Sequence, residues 1–329
     1  SSASRRRDSS SSFCAITSPV DGIREFEVAT SGYDASFSRN AGGQVNVALK
    51  SGSNAVHGTA YEFFRNASLD ARNYFAPAGE KDPRYQRNQF GLSLGGPVRK
   101  DRTFFFADYE GRRAREGFSR RTNVPTALER IGDFSQSNLY AIDLYTQMPF
   151  PGNKIPTSRL DPIGLKIAAL YPLPNRTVPG QNYVAAPIGS DDSDNTDVRL
   201  DHSLTSRDDL MVRYSFARRD LFEPYAGSSY SQVPGYGNTV PRQAHNLALA
   251  ETHVFSASLI NELRAGFNRV GNSVNQQNQN NDLNKQVGLP NLSTNARDTG
   301  LTFLTVTGYS PLGDEYNNPQ RGVTNTYQV

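Results

Sequence analysis

The sequence is short of the residues that support several common kinds of protein site. Its 329 residues include one cysteine, Cys14, and no tryptophan. A single cysteine cannot form an intramolecular disulfide or a cysteine-based zinc site, and no catalytic signature surrounds Cys14. No apolar run approaches the 18 residues that indicate a transmembrane helix. These shortages argue against a disulfide-stapled domain and against a helical membrane span.

Strong charge is also missing. The formal net charge is only +3, and the basic residues cluster only at SRRR (4–7) and GRRAREGFSRR (111–121). Neither cluster carries the interleaved aromatic residues of a base-stacking surface. We therefore predict solvated loops at both places and no nucleic-acid partner.

No metal or catalytic motif stands out. Aspartates in GSDDSDN (189–195) could bind calcium through their oxygens, but they lack EF-hand spacing, and a solvated loop is the simpler interpretation. There is no Ser/His/Asp order, paired acid motif or phosphate loop, so we predict neither an enzyme nor a cofactor. The four histidines are too widely spaced to indicate a metal site: His57, His202, His245 and His253.

What the sequence does contain is aromatic residues in a polar background. Hydrophobic residues make up 36% of the chain and the mean hydropathy is -0.60, yet there are 16 Tyr and 18 Phe. A structure that is apolar on one face only has this composition. A sheet that closes around a polar interior is one such structure.

Alternating segments of about ten residues recur along the chain, often in pairs. Successive side chains of a strand point to opposite faces, so each segment predicts a strand with one apolar face. After two earlier strands, at 22–30 and up to about residue 50, we predict seven: 57–66, 88–98, 102–111, 196–204, 209–217, 245–255 and 259–269.

The connections between these strands alternate in length. Short links at 99–101, 205–208 and 256–258 separate long ones, as in outer-membrane barrels with short periplasmic turns and long outer loops. Alternation alone would also fit a soluble sandwich. In the longest connection we predict one helix, capped by Asp161 and ending before Pro172. Residues 271–285, rich in Asn and Gln, predict exposed loop.

These segments carry a resemblance to the Oar-like branch of the TonB-dependent outer-membrane receptors. IREFEV and YDASFSRNAGGQVNVALKSGSN resemble the end of that family's plug domain. HGTAYEFFRN, LDARNYFAP and RNQFGLSLGGPVRKDRTFFFADYEG resemble its first barrel strands. GDFS, FPGNKIPTSRLDP, ALYPLPN and DVRLDHSLTSRDDLMVRYSF resemble the following insertion and hairpin.

The resemblance implies an all-β fold: part of an antiparallel transmembrane barrel of about seven strands, preceded by the end of a plug and carrying long irregular outer loops. The domains would be 1–52 (plug end) and 53–329 (first part of the barrel). The family works in the outer membrane of Gram-negative bacteria, in contact with lipid, and takes up a solute when periplasmic TonB pulls the plug. No TonB box or signal peptide is visible, so we expect a fragment cut at both ends.

The resemblance also implies a seam where the last plug strand meets the barrel wall. A glycine pair there would allow close backbone packing, although a turn that needs positive φ explains it equally well. The resemblance also places Lys50 at this seam, although an ordinary exposed strand end is the alternative interpretation of that residue. The seam residues are Gly42, Gly43, Val45, Asn46, Val47 and Lys50.

Two further groups could contact a solute. Charged residues on the barrel strands would line a hydrated interior, with mutual pairing as their default role: Glu62, Arg199, Asp201, Arg213, Glu262 and Arg264. Aromatic residues could form an outer surface for sugars or peptides, with interfacial or loop packing as the alternative: Tyr74, Phe75, Tyr85, Tyr109 and Tyr140.

Three functions follow from the sequence. The first is energy-coupled uptake of a carbohydrate, peptide or chelate by a TonB-dependent receptor. The second is an outer-membrane barrel for adhesion or assisted export without active uptake. The third is a soluble all-β carbohydrate-binding module.

Overall fold

The computed structural model describes residues 19–29, 44–71 and 84–329, and antiparallel strands dominate this part of the chain. The helices are α1 (Pro162–Ala169) and α2 (Leu283–Val287). In chain order the strands are β1 (Ile23–Ala29), β2 (Gln44–Leu49), β3 (His57–Asn66), β4 (Tyr85–Arg99), β5 (Thr103–Gly117), β6 (Arg120–Thr122), β7 (Ile142–Asp143), β8 (Met148–Pro149), β9 (Tyr183–Ala185), β10 (Ile188–Ser203), β11 (Asp208–Glu223), β12 (Asn238–Ser256), β13 (Leu259–Gln276) and β14 (Gln320–Gln328).

The main sheet contains eight strands in the order β14-β13-β12-β11-β10-β5-β4-β3. Each strand pairs antiparallel with its neighbour. The seven predicted strands are confirmed, and β14 is an eighth that the sequence analysis missed. Strands β1 and β2 form a separate antiparallel hairpin, with Phe26 opposite Val47.

The predicted alternation of short and long connections is confirmed. Short links join β4 to β5, β10 to β11 and β12 to β13, whereas the other ends of these strands lead into long connections. The strands themselves are longer than predicted, because β4, β5 and β10–β13 have 15 to 19 residues instead of about ten. Their additional residues are mostly polar, so hydrophobic alternation did not reveal them.

The two faces of the main sheet are the reverse of those in a soluble protein: the buried side chains are polar and the exposed side chains are apolar. One face, here called the polar face, buries Ser93, Asp108, Asn195, Asp197 and Ser215. The other, here called the apolar face, exposes 36% to 56% of each of these side chains: Leu92, Leu94, Val198, Leu200, Leu247, Leu249 and Leu263. A continuous exposed apolar band of this kind marks a surface that lies against another apolar phase. Lipid is the phase expected for a barrel wall.

Two predictions of solvated loop are wrong. GRRAREGFSRR (111–121) begins in β5, and GSDDSDN (189–195) lies in β10, its partner strand. The prediction of exposed loop at 271–285 is also partly wrong, because β13 continues to Gln276, which is buried. In each case, pairing with a distant strand extends a polar segment that has no apolar alternation of its own.

The long connections pack together at one end of the sheet. Seven buried side chains from three connections form one cluster, here called the loop core: Val124, Tyr171, Val233, Tyr236, Val287, Leu301 and Leu312. The predicted helix is confirmed as α1, where the Asp161 carboxylate accepts hydrogen bonds from the backbone N–H groups of Ile163 and Gly164. Neither helix of the described residues is long and apolar enough to cross a membrane.

Candidate functional site

The candidate site is the seam where the β1–β2 hairpin contacts the polar face. Asp21, just before β1, lies at its centre. Its carboxylate accepts hydrogen bonds from the hydroxyls of Thr59 on β3 and Ser93 on β4. The Lys50 ammonium lies 3.2 Å from the other oxygen of Asp21, within the hairpin itself. These hydrogen bonds, from Ser93 and then Thr59, together with Lys50, hold the pKa of Asp21 below its ordinary value.

A second contact joins the hairpin to β10. The Arg199 guanidinium donates to the backbone carbonyl oxygen of Leu49 at 3.2 Å, and it pairs with Asp201 at 2.8 Å. Leu49 is buried under this contact. Arg199 and Asp201 were both predicted to face the interior of a barrel, and both lie on the polar face. Arg199 therefore positions the end of β2 as well as compensating a charge.

An acid cluster that the sequence analysis missed lies beside the seam. Asp108 on β5 and Asp197 on β10 are directly paired and are 3% and 1% exposed. Neither carboxylate oxygen of Asp197 has a hydrogen-bond partner, and Oδ2 of Asp108 has none. Gly22 packs so closely that a Cβ there would lie 1.8 Å from Oδ2 of Asp108. Two buried carboxylates thus form the wall against which the hairpin rests.

A third acid in this region, Glu110, accepts hydrogen bonds from two neutral donors. Oε2 of Glu110 accepts from the Tyr61 hydroxyl at 2.7 Å and from the Gln89 amide at 2.9 Å. These contacts join β3, β4 and β5 across the polar face. The period-2 pattern in RTFFFADYEG placed Asp108 and Glu110 on one face, and this was the only signal in the sequence that pointed toward the cluster.

Other predicted interior residues lie in different environments. Arg264 and Glu262 pair with each other at 2.7 Å on the polar face, near a short turn. Arg213 also lies on the polar face, where it donates to Asn246 at 3.0 Å. Glu62 differs from the expectation: it pairs opposite Phe90 and so lies on the apolar face. Contact between these side chains and a solute stays a prediction.

The predicted seam residues are only partly described. Val45, Asn46 and Val47 lie in β2, and Lys50 follows it. Gly42 and Gly43 fall outside the described residues. The seam position of Lys50 next to Asp21 differs from that of an ordinary exposed strand end.

The predicted outer aromatic surface is dispersed where it is described. Tyr140 is exposed on a long connection, and the Arg65 guanidinium lies 5.0 Å from the centre of the Tyr85 ring at the start of β4. The Tyr109 hydroxyl donates to Asp194 at 2.6 Å on the apolar face. Tyr74 and Phe75 fall outside the described residues. The structure does not bring Tyr85, Tyr109 and Tyr140 together.

The aspartates of GSDDSDN (189–195), whose oxygens could in principle bind calcium, pair with arginines instead. Asp191 contacts Arg112 at 2.5 Å and Arg219 at 2.7 Å on the polar face. On the apolar face, Asp194 and Asp192 likewise pair with arginines of β5. Because guanidinium groups neutralise these carboxylates, the arrangement does not fit an oxygen cage for calcium.

One histidine lies in a group that could bind a metal. His253 lies beside Asp208 and Glu251, and their possible ligand atoms are all within 4.8 Å of one another. Asp208 and His253 are hydrogen-bonded, and Asp208 also accepts from the Thr205 hydroxyl. The three are half-buried and lie near the short turn between β10 and β11. The hydrogen bonds of Asp208 to His253 and Thr205 fit a stabilised turn.

Comparison with known proteins agrees with this geometry. The family model described as "Outer membrane beta barrel domain" matches residues 48–329. A relative named "TonB-dependent transporter Oar", from Myxococcus xanthus, is 30% identical over 95 residues, which are 27% of this chain and 9% of the relative. The matched region is therefore a small part of that transporter.

Proposed function

Because the chain belongs to the outer membrane beta barrel domain family, a family of the cell outer membrane whose members are typically not enzymes, we propose that it forms part of a TonB-dependent receptor. In this proposal the main sheet is the first part of the barrel wall, and the β1–β2 hairpin is the end of the plug. The solute is a carbohydrate, a peptide or a metal chelate taken up from outside.

The observation that carries the proposal is the placement of the hairpin on the polar face. Both main hydrogen-bonding contacts to the wall, through Asp21 and through the carbonyl of Leu49, lie on the face opposite the exposed apolar band. A segment inside a barrel must contact this face. A soluble carbohydrate-binding module, the third function considered, would expose its apolar band to water.

The strength of the seam suits a movable plug. Among the described residues, hydrogen bonds from Thr59, Ser93 and Arg199 join the hairpin to the wall. Each contributes roughly 1.5–3 kcal/mol because a charged group takes part. A pull from the periplasmic side, which the proposal assigns to TonB, can separate contacts of this size one after another without unfolding the wall.

The chemistry of the seam is binding and release. Asp21 accepts hydrogen bonds, Arg199 donates them, and Asp108 with Asp197 brings negative charge close to Gly22. Displacement of the hairpin would expose this charge to the interior and would open a hydrated path along the polar face. The energy for the displacement would come from the inner membrane through TonB.

A second candidate is a barrel for adhesion or assisted export. The loop core favours it, because it holds three long connections together as one packed surface on the outer side. The connection that contributes Val124 and Tyr171 also exposes Leu144 and Tyr145, at 81% and 87%. Such a surface suits a macromolecular partner as well as a small solute.

An uptake experiment separates the two candidates. Cells that make the whole protein would be given labelled oligosaccharides, peptides and ferric chelates, with TonB present or deleted. We expect one class to accumulate only when TonB is present. If none accumulates in either strain, and deleting the gene abolishes attachment of cells to a surface, the second candidate replaces the first.

A further inference from the structure

An arginine-lined groove lies on the apolar face, at the ends of the strands that lead into the long connections. Its volume is about 300 Å³, and it runs across β11, β12, β13 and β14. Four arginines and one aspartate line it: Arg218, Arg242, Arg269, Arg321 and Asp220. Most of the lining positions alternate in register with the exposed leucines of the apolar face. The groove is thus strongly positive, although it opens on the side that faces lipid.

The ion pairs of this face are distributed unevenly. Across β5 and β10 each outward arginine has an aspartate, as in Arg113–Asp194 and Arg115–Asp192. In the groove, Arg218 is neutralised by Asp220 at 2.8 Å. Arg269 and Arg321 have no such carboxylate among the described residues, and both are exposed. Arg242 belongs in register to the polar face, where it donates to Asn272 at 3.1 Å. On the apolar face the groove therefore presents two exposed cations, Arg269 and Arg321, to an anionic partner from outside.

The depth of the groove suggests the origin of that partner. On the same face, aromatic rings lie at the edge of the groove nearest the short turns. His245, which lines the groove opposite Arg269, lies 5.1 Å from Phe216, and Phe267, one step nearer the short turns, lies 5.1 Å from Tyr327, measured between ring centres. Aromatic girdles mark the boundary between hydrocarbon and headgroups. Arg269 and Arg321 lie beside these rings on the side of the long connections, where an aromatic girdle would place lipid headgroups.

We propose that this groove binds the phosphate groups of outer-membrane lipid headgroups through Arg269 and Arg321. A guanidinium presents a planar fork of donors that matches phosphate oxygens. A soluble anion would meet the polar face or the loops, whereas a lipid phosphate is held at this depth by its own acyl chains. The site depends on membrane insertion and not on the proposed uptake function.

The test uses the whole protein, purified in detergent, and native mass spectrometry. Bound lipid is counted after addition of phosphatidylglycerol, or of digalactosyldiacylglycerol, which has no phosphate. We expect selective retention of phosphatidylglycerol by the natural protein. The double variant R269Q/R321Q should lose it by roughly twenty-five-fold, since each basic residue near an anionic surface contributes about a fivefold change in affinity.

The matched control is R99Q/R207Q, which removes two exposed arginines near the short turns and should leave retention unchanged. If the glutamine variant does not fold, R269K/R321K keeps the charge and loses the fork, and retention should fall by a smaller factor. Inorganic phosphate is the competitor. The proposal is overturned if both lipids bind equally, if the control loses as much as the groove variant, or if inorganic phosphate binds as tightly as the lipid.

Discussion

Asp197 lies directly opposite Asp108 on the neighbouring strand, and its backbone N–H donates to Oδ1 of Asp108 at 3.0 Å. The two carboxylates are buried, and three of their four oxygens have no hydrogen-bond partner. Burial of two adjacent acidic side chains without partners destabilises the fold, so the wall is less stable at this pair than it would be with a neutral residue there. It lies against the segment that the proposed function requires to move.

Removal of one of these carboxyl groups should stabilise the wall. We expect Asp197→Asn to raise the free energy of unfolding by roughly 1–3 kcal/mol, because it removes one of two adjacent buried acids that lack partners. The matched control is Asp201→Asn, which breaks the pair with Arg199 and should lower stability. Urea unfolding followed by the gel mobility of the folded barrel measures both. A loss of stability in Asp197→Asn would contradict this account of the pair.

The close packing at Gly22 predicts that one methyl group displaces the β1–β2 hairpin. In Gly22→Ala the new Cβ would lie 1.8 Å from Oδ2 of Asp108, and because Asp108 is buried its carboxyl has little room to turn aside, so we expect the hairpin to shift away from the wall. Overpacking of this kind costs roughly 1–3 kcal/mol. We expect increased sensitivity of cells to large antibiotics, measured as the inhibitory concentration.

The control for that experiment is Gly322→Ala, whose Cβ would meet no atom within 4 Å. It should leave sensitivity unchanged. Equal sensitivity of the two variants would show that the hairpin does not depend on the fit at Gly22.

The hydrogen bonds to Asp21 predict that the seam weakens in acid. Since they lower the pKa of Asp21 below 3.8, its contribution is complete above about pH 4 and is lost as the pH falls through the lowered value. Hydrogen exchange of residues 44–50, corrected for the intrinsic rate, should therefore accelerate on acidification. Asp21→Asn should exchange rapidly at neutral pH and change little with acid. An acid response that persists in the variant would assign it to another group.

The loop core predicts that the outer connections unfold as a unit. Leu312 is fully buried there, and Leu312→Ala should destabilise the core by roughly 2–5 kcal/mol. Proteases added to intact cells should then cleave several long connections while the barrel stays folded. Leu292→Ala, at an exposed leucine, is the matched control. Cleavage restricted to one connection would mean that the connections are independent.

Much of the wall could be predicted because membrane strands repeat one signal. The alternation around Leu92, Leu200 and Leu249 predicted the strands, and the short charged links predicted their pairing. The limits of β5 and β10 could not be predicted, because Arg115 and Asp192 carry no periodic apolar signal and show their register only when paired. Strand β14 is short of apolar residues and was missed for the same reason.

The seam was predicted only in outline. The resemblance drew attention to Lys50, and its assignment to the end of a plug stays a prediction. The partner of Lys50 is Asp21, an isolated acid in a stretch without a motif. Asp108 and Asp197 are 89 residues apart, and single-sequence patterns carry no information on pairing over that distance. The loop core could not be predicted for the same reason, since Val124 and Leu312 belong to connections that are separated by four strands of the main sheet.

The length of the strands has a consequence for where an approaching molecule first meets the protein. At about 3.3 Å per residue the 19 residues of β12 extend roughly 60 Å, or roughly 45 Å along the membrane normal at the usual tilt. The apolar belt of such walls is only about 25 Å tall. The remaining height forms a collar that raises the packed connections clear of the lipid surface, so that first contact takes place in the medium above the membrane.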